Sequence, residues 1–283
     1  MIFYRKFIKL MNQGKYAIIK TKIDACDYQY ILEEIKISIR SKKTLLVSPI
    51  ASYTIVLAFF NKEIKNTLAK FNYLTPDSYW VKSSLNFLYK VKLENRVYGP
   101  DLMLKTCNLS EQQKYKVFLY GTTTQTLAKL KGELKKLFPK ILIVGSAPSK
   151  FAPLTSFETK ELTSEIVGKK TDILFIGLGS PLQEKFALKL GEEIKKSRKP
   201  MTILTVGAAF DFISKNKLQA PIWVQNTGLE WCFRLIKEPG RLGKRYLMYG
   251  PLFILLILKQ KAGILLNPTH NIVIKNKTGR RDA

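Results

Sequence analysis

Short apolar runs alternate with longer amphipathic ones along most of this chain. Thr44–Val47, Val117–Tyr120, Ile141–Val144, Ile173–Ile176 and Met201–Val206 are four to six residues long and rich in strand formers. Runs this short, without polar alternation, predict strands covered on both faces of a sheet. Residues 26–41, 52–60, 61–71, 127–138 and the stretch reaching about Lys196 carry helical spacing instead, and a basic amphipathic stretch precedes the strand at 117. Strands separated by helices of a few turns predict βαβ units, so an α/β fold with a mostly parallel sheet and right-handed crossovers. Each strand runs into small or polar residues: Ser48-Pro49, Gly121-Thr122-Thr123, Gly145-Ser146, Gly177-Leu178-Gly179 and Gly207-Ala208. Their repetition predicts one crevice at the carboxyl edge of the sheet.

The segment Asp172–Glu184, D-I-L-F-I-G-L-G-S-P-L-Q-E, condenses that logic: strand, glycine turn, helix. Gly177 and Gly179 permit a tight turn and a close backbone approach, and Pro181 suits a first helical turn. Backbone N–H groups and the pair Gln183 and Glu184 then stand where open α/β sheets bind phosphorylated ligands. The third glycine of a dinucleotide fingerprint is missing, and a plain strand-to-helix turn is the competing reading.

After Asp211 the pattern changes. Trp223, Leu229, Trp231, Phe233 and Leu235 interleave with Arg234, Lys237, Arg241, Lys244 and Arg245, and Pro239-Gly240 divides the stretch into short amphipathic helices. The organisation expected is a catalytic domain over 1–215, a helical, membrane-proximal appendage over 216–264 and a basic tail over 265–283. Tyr246–Leu258 is apolar but shorter than the ~20 residues a bilayer span needs. The N-terminus lacks the apolar core of a signal peptide, so a cytoplasmic protein is expected.

Composition narrows the chemistry. The chain has 283 residues, 46% hydrophobic and 24% charged, which is globular. Its formal charge of +27, from 48 Lys and Arg against 21 Asp and Glu, points to a polyanionic partner: nucleic acid, an anionic membrane face or phosphorylated substrates. Solvated lysine surface is the plain alternative. A single histidine, His270, excludes histidine triads and multi-histidine metal sites and leaves acid–base work chiefly to carboxylates. Cys26, Cys107 and Cys232 show no CxxC spacing, which suggests a reducing compartment and no structural zinc. A nucleic-acid-binding basic protein is the alternative function, although no RNP, KH or helix-turn-helix pattern appears.

Five segments taken together resemble the WecG/TagA/CpsF glycosyltransferases, glycosyltransferase family twenty-six. They are R-V-Y-G-P-D-L at 96–102, D-I-L-F-I-G-L-G-S-P-L-Q-E-K-F at 172–186, V-G-A-A-F-D-F at 206–212, A-P-I-W-V-Q at 220–225 and G-L-E-W-C-F-R-L-I-K-E-P-G-R at 228–241. The resemblance spans roughly residues 44–250. It implies a Rossmann-like catalytic domain and an inverting transfer, without metal or other cofactor, from a UDP-sugar to a polyprenyl-diphosphate-linked saccharide. The work belongs to bacterial cell-surface polysaccharide synthesis. The partners implied are the donor, the lipid-linked acceptor and the inner face of the cell membrane, where the protein would sit peripherally; no specific nucleic acid is expected, and a homo-oligomer is allowed.

The resemblance also assigns residues. Asp77, in P-D-S, corresponds to the general base, with a turn or helix-cap aspartate as the alternative. Arg96 corresponds to a phosphate-contacting arginine, with a surface ion pair to Glu94 or Asp101 as the alternative. Ser48 keeps a substrate-side hydroxyl, while Ile50 replaces an asparagine. Gly121, Gly177, Gly179 and Gln183 would border the donor sugar or its phosphates, and Asp211 the nucleoside. Phe151 would stack on uracil, with core packing as the alternative, and Lys150 replaces a glycine before it. Arg234, Arg241 and Lys244 would grip diphosphate from the appendage or face the membrane, Lys244 standing where arginine is usual.

Overall fold

The computed structural model describes residues 14–265. It begins with an antiparallel hairpin of β1 (Gly14–Ile18) and β2 (Thr21–Ala25). Six further strands follow: β3 (Leu45–Ile50), β4 (Tyr73–Pro76), β5 (Lys116–Gly121), β6 (Leu142–Ala147), β7 (Ile173–Gly177) and β8 (Thr202–Thr205). They form one parallel sheet in the order β4-β3-β8-β7-β5-β6. Helices α1 (Tyr28–Arg40), α2 (Ser52–Phe60), α3 (Lys62–Ala69), α4 (Tyr79–Tyr89), α5 (Gly99–Gln113), α6 (Thr124–Leu137), α7 (Ser156–Gly168) and α8 (Leu182–Lys196) make the connections. The fold is α/β and Rossmann-like.

The continuous apolar runs have the expected cause. Along β5, Phe118 and Tyr120 enter a core shared with Leu174, Ile176 and Ile203, whereas Val117 and Leu119 enter a second core with Ile173, Phe175 and Leu204. Both faces are covered, so no position on the strand can be polar without a partner.

Connectivity fixes where a ligand can sit. The chain leaves β5 toward β6 at one side and leaves β7 toward β8 at the other, so the two crossovers diverge between β5 and β7. Gly121 and Gly177 are register partners at that divergence, at the carboxyl ends of their strands. A Cβ on Gly177 would overlap the buried Phe210 ring, so this glycine answers to packing as well as to any ligand.

The C-terminal segment contains α9 (Ala209–Ile213), α10 (Ile222–Asn226), α11 (Glu230–Lys237) and α12 (Pro239–Lys261). The break at Pro239 is where the sequence signals it, but the second piece is one helix of 23 residues rather than a short one. Pro239 occupies its first turn, where a missing N–H costs nothing, and the helix continues through Pro251. Its inward stripe explains the length: Leu242, Phe253, Leu256 and Ile257 are buried, the last three in the same core as the sheet. Among the described residues no helix is long and apolar enough to cross a membrane. The N-terminal 13 residues and nearly all of the basic tail, from 266 onward, lie outside the described residues.

The hairpin, which sequence pattern did not announce, is joined to α12 at its tip. Ile19 and Lys20 both adopt positive φ (47° and 65°), a conformation β-branched residues resist. Gln260 holds the tip: its Oε1 accepts the Ile19 N–H at 2.8 Å and its Nε2 donates to the Ala17 carbonyl at 2.7 Å. Gln260→Ala leaves the buried Ile19 N–H unpaired, while the Ala17 carbonyl keeps the Tyr89 hydroxyl at 2.6 Å, and is expected to destabilise the protein by about 1–3 kcal/mol. Urea denaturation checks this, and a midpoint equal to wild type would show that the tip keeps its shape unaided.

Candidate active site

Asp77 emerges directly from the end of β4. Its N–H donates to the Ile50 carbonyl at 3.1 Å and its Oδ1 accepts the Gly99 N–H at 2.9 Å, at the start of α5. Ser78, not Asp77, caps α4 by accepting the Val81 N–H, so the helix-cap alternative holds only in that Asp77 satisfies an N–H at the start of α5. Among the described residues, Oδ2 has no hydrogen-bond donor. Asp77 opens onto a cavity of about 240 Å³ bounded by the β3–α2 and β4–α4 loops, α11 and α12.

Arg96 reaches the same cavity from the loop before α5. It pairs neither with Glu94 nor with Asp101, the alternatives open from sequence. Its Nη2 lies 2.6 Å from Glu230 Oε2 and donates to Gln225 Oε1 at 3.0 Å, and its guanidinium stacks 4.1 Å over the Tyr98 ring. Tyr98 donates its hydroxyl to Glu230 Oε1 at 3.0 Å. Gly228 allows α11 to begin this close: its φ is +79°, and a Cβ would stand 2.6 Å from the Tyr79 ring.

Arg234 and Arg245 complete the cationic wall. Arg234 lies 3.9 Å from Glu230 across one helical turn, and its Nε has no partner. Arg245 stacks 4.4 Å over Tyr53, again with an unpartnered Nε, and no carboxylate pairs with it among the described residues. Three guanidinium groups thus face two carboxylates, Asp77 and Glu230. Burial nevertheless holds the Asp77 carboxyl above the usual aspartate range, outweighing Arg96 and the Gly99 N–H. Burial likewise pulls Arg245 below the usual arginine value.

Other predicted residues lie along the adjoining strand ends. Val206 and Gly207 are the bridge, since Gly99 borders both the Val206 carbonyl and Asp77 while Gly207 borders Gln183 and the Leu178 carbonyl. Gln183 is buried; its Nε2 donates to Ser180 Oγ (3.0 Å) and Glu184 Oε1 (2.9 Å), and its Oε1 has no partner. Ser48 is fully buried, donating to Glu184 Oε1 at 3.0 Å and accepting from Thr205 Oγ1 at 2.6 Å. Its hydroxyl is therefore spent on Glu184. Gly121, at φ +128°, packs on Gly177, whereas nothing crowds Gly179. Asp211 lies 3.6 Å from Lys217 on α9. Phe151 is 65% exposed at φ +54°, so core packing does not account for it. Lys150 beside it pairs with Glu158.

Arg241 and Lys244 do not line the cavity. Glu238 engages Arg241 through two bonds of 2.7 Å, and Lys244 is exposed. Arg245, Glu230 and Tyr98 were not singled out from sequence as site residues. The signal for Arg245 was the helical stripe Leu242-Arg245-Tyr249-Phe253-Leu256, which turns it inward and its neighbour Lys244 out.

A parallel sheet with a carboxylate and clustered guanidinium groups at its carboxyl edge places the chain among Rossmann-like α/β enzymes. The sequence profile of the glycosyl transferase WecG/TagA/CpsF family matches residues 16–265, and the chain belongs to that family. The match takes in the N-terminal hairpin from residue 16 and all of α12, beyond the 44–250 stretch that carries the motifs. The chain is 27% identical over 204 residues to the N-acetylglucosaminyldiphosphoundecaprenol N-acetyl-beta-D-mannosaminyltransferase of Bacillus subtilis, covering 72% of this chain and 75% of that protein. It is 26% identical, with the same coverage, to the enzyme of that name from Bacillus spizizenii.

A raised folded-state pKa makes Asp77 a liability when ionised. Its burial costs nothing below the unfolded value of ~3.9, and the cost grows as pH rises through the higher folded value. Asp77→Asn is therefore expected to be more stable than wild type near pH 7, with the gain vanishing as pH falls to about 4. Thermal denaturation across that range reads the difference, and a variant less stable at pH 7 would mean the arginines outweigh the burial.

Proposed function

We propose that this protein transfers a sugar, with inversion, from a UDP-sugar to a saccharide carried on polyprenyl diphosphate, for a cell-surface polymer. The observation that carries this reading is one carboxylate with a free oxygen, Asp77, facing Arg96, Arg234 and Arg245 in a single cavity. Single displacement requires a base on the face opposite the leaving group, and a half-buried carboxylate of raised pKa suits that work. Asp77 takes the proton of the acceptor hydroxyl as its oxygen attacks the anomeric carbon, and UDP departs with the electrons of the broken bond. The guanidinium groups offset the charge growing on the departing diphosphate, a role that fixed donors in a desolvated site perform well. With that charge supplied by side chains, the transfer is expected without a divalent ion.

The names of the two Bacillus relatives support N-acetylglucosaminyl-diphosphoundecaprenol as the acceptor type. The residues 1–215 then form the catalytic unit and 216–264 a cover that closes it at the inner membrane face. Exposed Trp223, Ile236, Leu247, Met248 and Leu258 on that cover suit contact with lipid. Phe151, held out from the core, suits stacking on the uracil ring, and Gln183, with its open Oε1, suits the donor sugar.

A panel of UDP-sugars with lipid-linked N-acetylglucosamine, assayed in EDTA, tests the reaction. Asp77→Asn is expected to lower kcat by about 10²- to 10⁴-fold with UDP affinity nearly intact. Undiminished turnover in that variant removes Asp77 as the base, and transfer that needs added manganese removes the metal-free mechanism. Arg245→Ala is expected to lower kcat/KM by about a hundredfold, a larger loss than Lys244→Ala causes. Equal losses would return Lys244 to the site.

A further inference from the structure

A second depression opens beside the cavity, between α4 and α12. Trp80, Ser83, Ser84 and Phe87 form one wall, and Phe253, Ile254, Ile257 and Leu258 the other. Trp80, Phe253 and Ile254 line both spaces, so the groove adjoins the cavity that holds Asp77 and the arginines. The two helices run in the same direction, from the Asp77 end to the point where Lys261 donates to the Phe87 carbonyl at 3.4 Å.

We propose that this groove holds the first isoprene units of the acceptor lipid, a proposal that rests on the glycosyl-transfer reading above. The occupant follows from the sequence of environments. A polyprenyl-diphosphate sugar presents a hydroxyl, then two phosphates, then a branched hydrocarbon chain. The protein presents Asp77 and three guanidinium groups in one cavity and, sharing Trp80, Phe253 and Ile254 with it, a trough of aromatic and aliphatic side chains. A nucleotide or a free sugar would fill the cavity and leave the trough empty. Polarity at the floor is already silenced, because Ser84 donates its hydroxyl to the Trp80 carbonyl at 2.8 Å. The small Ser84 also supplies the depth, lying between Trp80 and Phe87 on one helical face.

The dimensions agree. From Trp80 to Phe87 the helix advances ~10 Å, room for the beginning of a polyprenyl chain and no more. The walls are partly open, with Trp80 38%, Phe87 49%, Ile254 43% and Leu258 54% exposed. A chain lying there would cover these four and continue past Leu258 toward the lipid bilayer. Lys261 stands at that exit, its Nζ 5.2 Å over the Phe87 ring, where a cation meets anionic headgroups.

The test is binding, measured by calorimetry on the full chain with N-acetylglucosamine diphosphate esters of methanol, dimethylallyl alcohol, geraniol and farnesol. No vesicles are present, and each ester stays below its aggregation limit. Affinity is expected to rise at least about tenfold from the methyl to the farnesyl ester in wild type. In Ser84→Leu, which fills the trough, the four esters are expected to bind alike. Phe87→Ser and Leu258→Ser, both at exposed positions that tolerate change, should flatten the dependence even if Ser84→Leu fails to fold. Equal affinity for all four esters in wild type, or an undiminished gain in the variants, would overturn the groove assignment. Transfer to the farnesyl ester is followed in parallel. Transfer with no tail dependence sinks the groove alone, whereas tail-dependent binding with no transfer from any UDP-sugar sinks the catalytic reading alone.

Discussion

The ion pair between Arg96 and Glu230 is the contact on which the rest of the site depends. Arg96 sits in the loop between α4 and α5, which is anchored to the sheet through the Val97 N–H on the Pro76 carbonyl at 2.9 Å. Glu230 belongs to the C-terminal helices. Joining them closes the cavity, since one wall is contributed by each side. Both side chains are nearly out of solvent, at 13% and 11% exposure, so separating them strands two desolvated charges. Loss of one partner of a buried pair typically costs 3–5 kcal/mol, although the intact pair adds little net stability. Its value here is positional: it brings α11 to a fixed place over Asp77. Arg234, one turn along the same helix, is carried in with it.

Two carboxylates, the buried Glu184 and the half-buried Asp77, illustrate how environment separates structure from chemistry. Glu184 receives hydrogen bonds from Ser48, Ser180 and Gln183 on a single oxygen, and burial still raises its pKa. It ties β3 to the start of α8, and through Thr205 and Ser48 to β8 as well. Asp77 has one oxygen committed to α5 and the other open to the cavity. Glu184 keeps its other oxygen, Oε2, buried without a partner, so what sets Asp77 apart is that its unclaimed oxygen opens onto a cavity. The hydroxyl of Ser48 belongs to the Glu184 arrangement, which also explains how an isoleucine at position 50 is accommodated: it is fully buried in the core beneath the edge.

Most of the sheet was legible in the sequence because its central strands are buried on both faces, although β3 and β6 run on through Ser48-Pro49 and Gly145-Ser146, where the sequence signals their ends. The hairpin was not. Its turn falls on Ile19-Lys20, residues without the Asn-Gly or Gly signature that positive φ normally requires, and it persists because Gln260, 241 residues away, accepts the Ile19 N–H. No local reading of the chain can see that bond. The length of α12 was obscured for a similar reason: Pro239, Gly240 and Pro251 all signal interruption, while burial of Phe253, Leu256 and Ile257 overrides them. At the site, Asp77 and Arg96 were legible through motifs. Glu230 lay inside a quoted motif without a role, because a glutamate on a helix start reads as a macrodipole partner until its guanidinium partner is known. Arg245 was hidden by its neighbour Lys244, and only the helical period separates them.

The charge of +27 describes the surface more than the chemistry. Many lysines are paired within one helical turn, as Lys36 is with Glu33, Lys136 with Glu133 and Lys196 with Glu193. Such exposed pairs contribute only tenths of a kcal/mol and are screened by salt. The cavity uses a different kind of cation: arginine, stacked on Tyr98, Phe212 and Tyr53 and removed from water by the cover. A guanidinium survives that desolvation because its charge is spread over a plane that an aromatic face can support. An ammonium in the same place would lose more hydration than the ring returns. Tolerance of burial, rather than number, is what separates these three arginines from the lysine-rich surface.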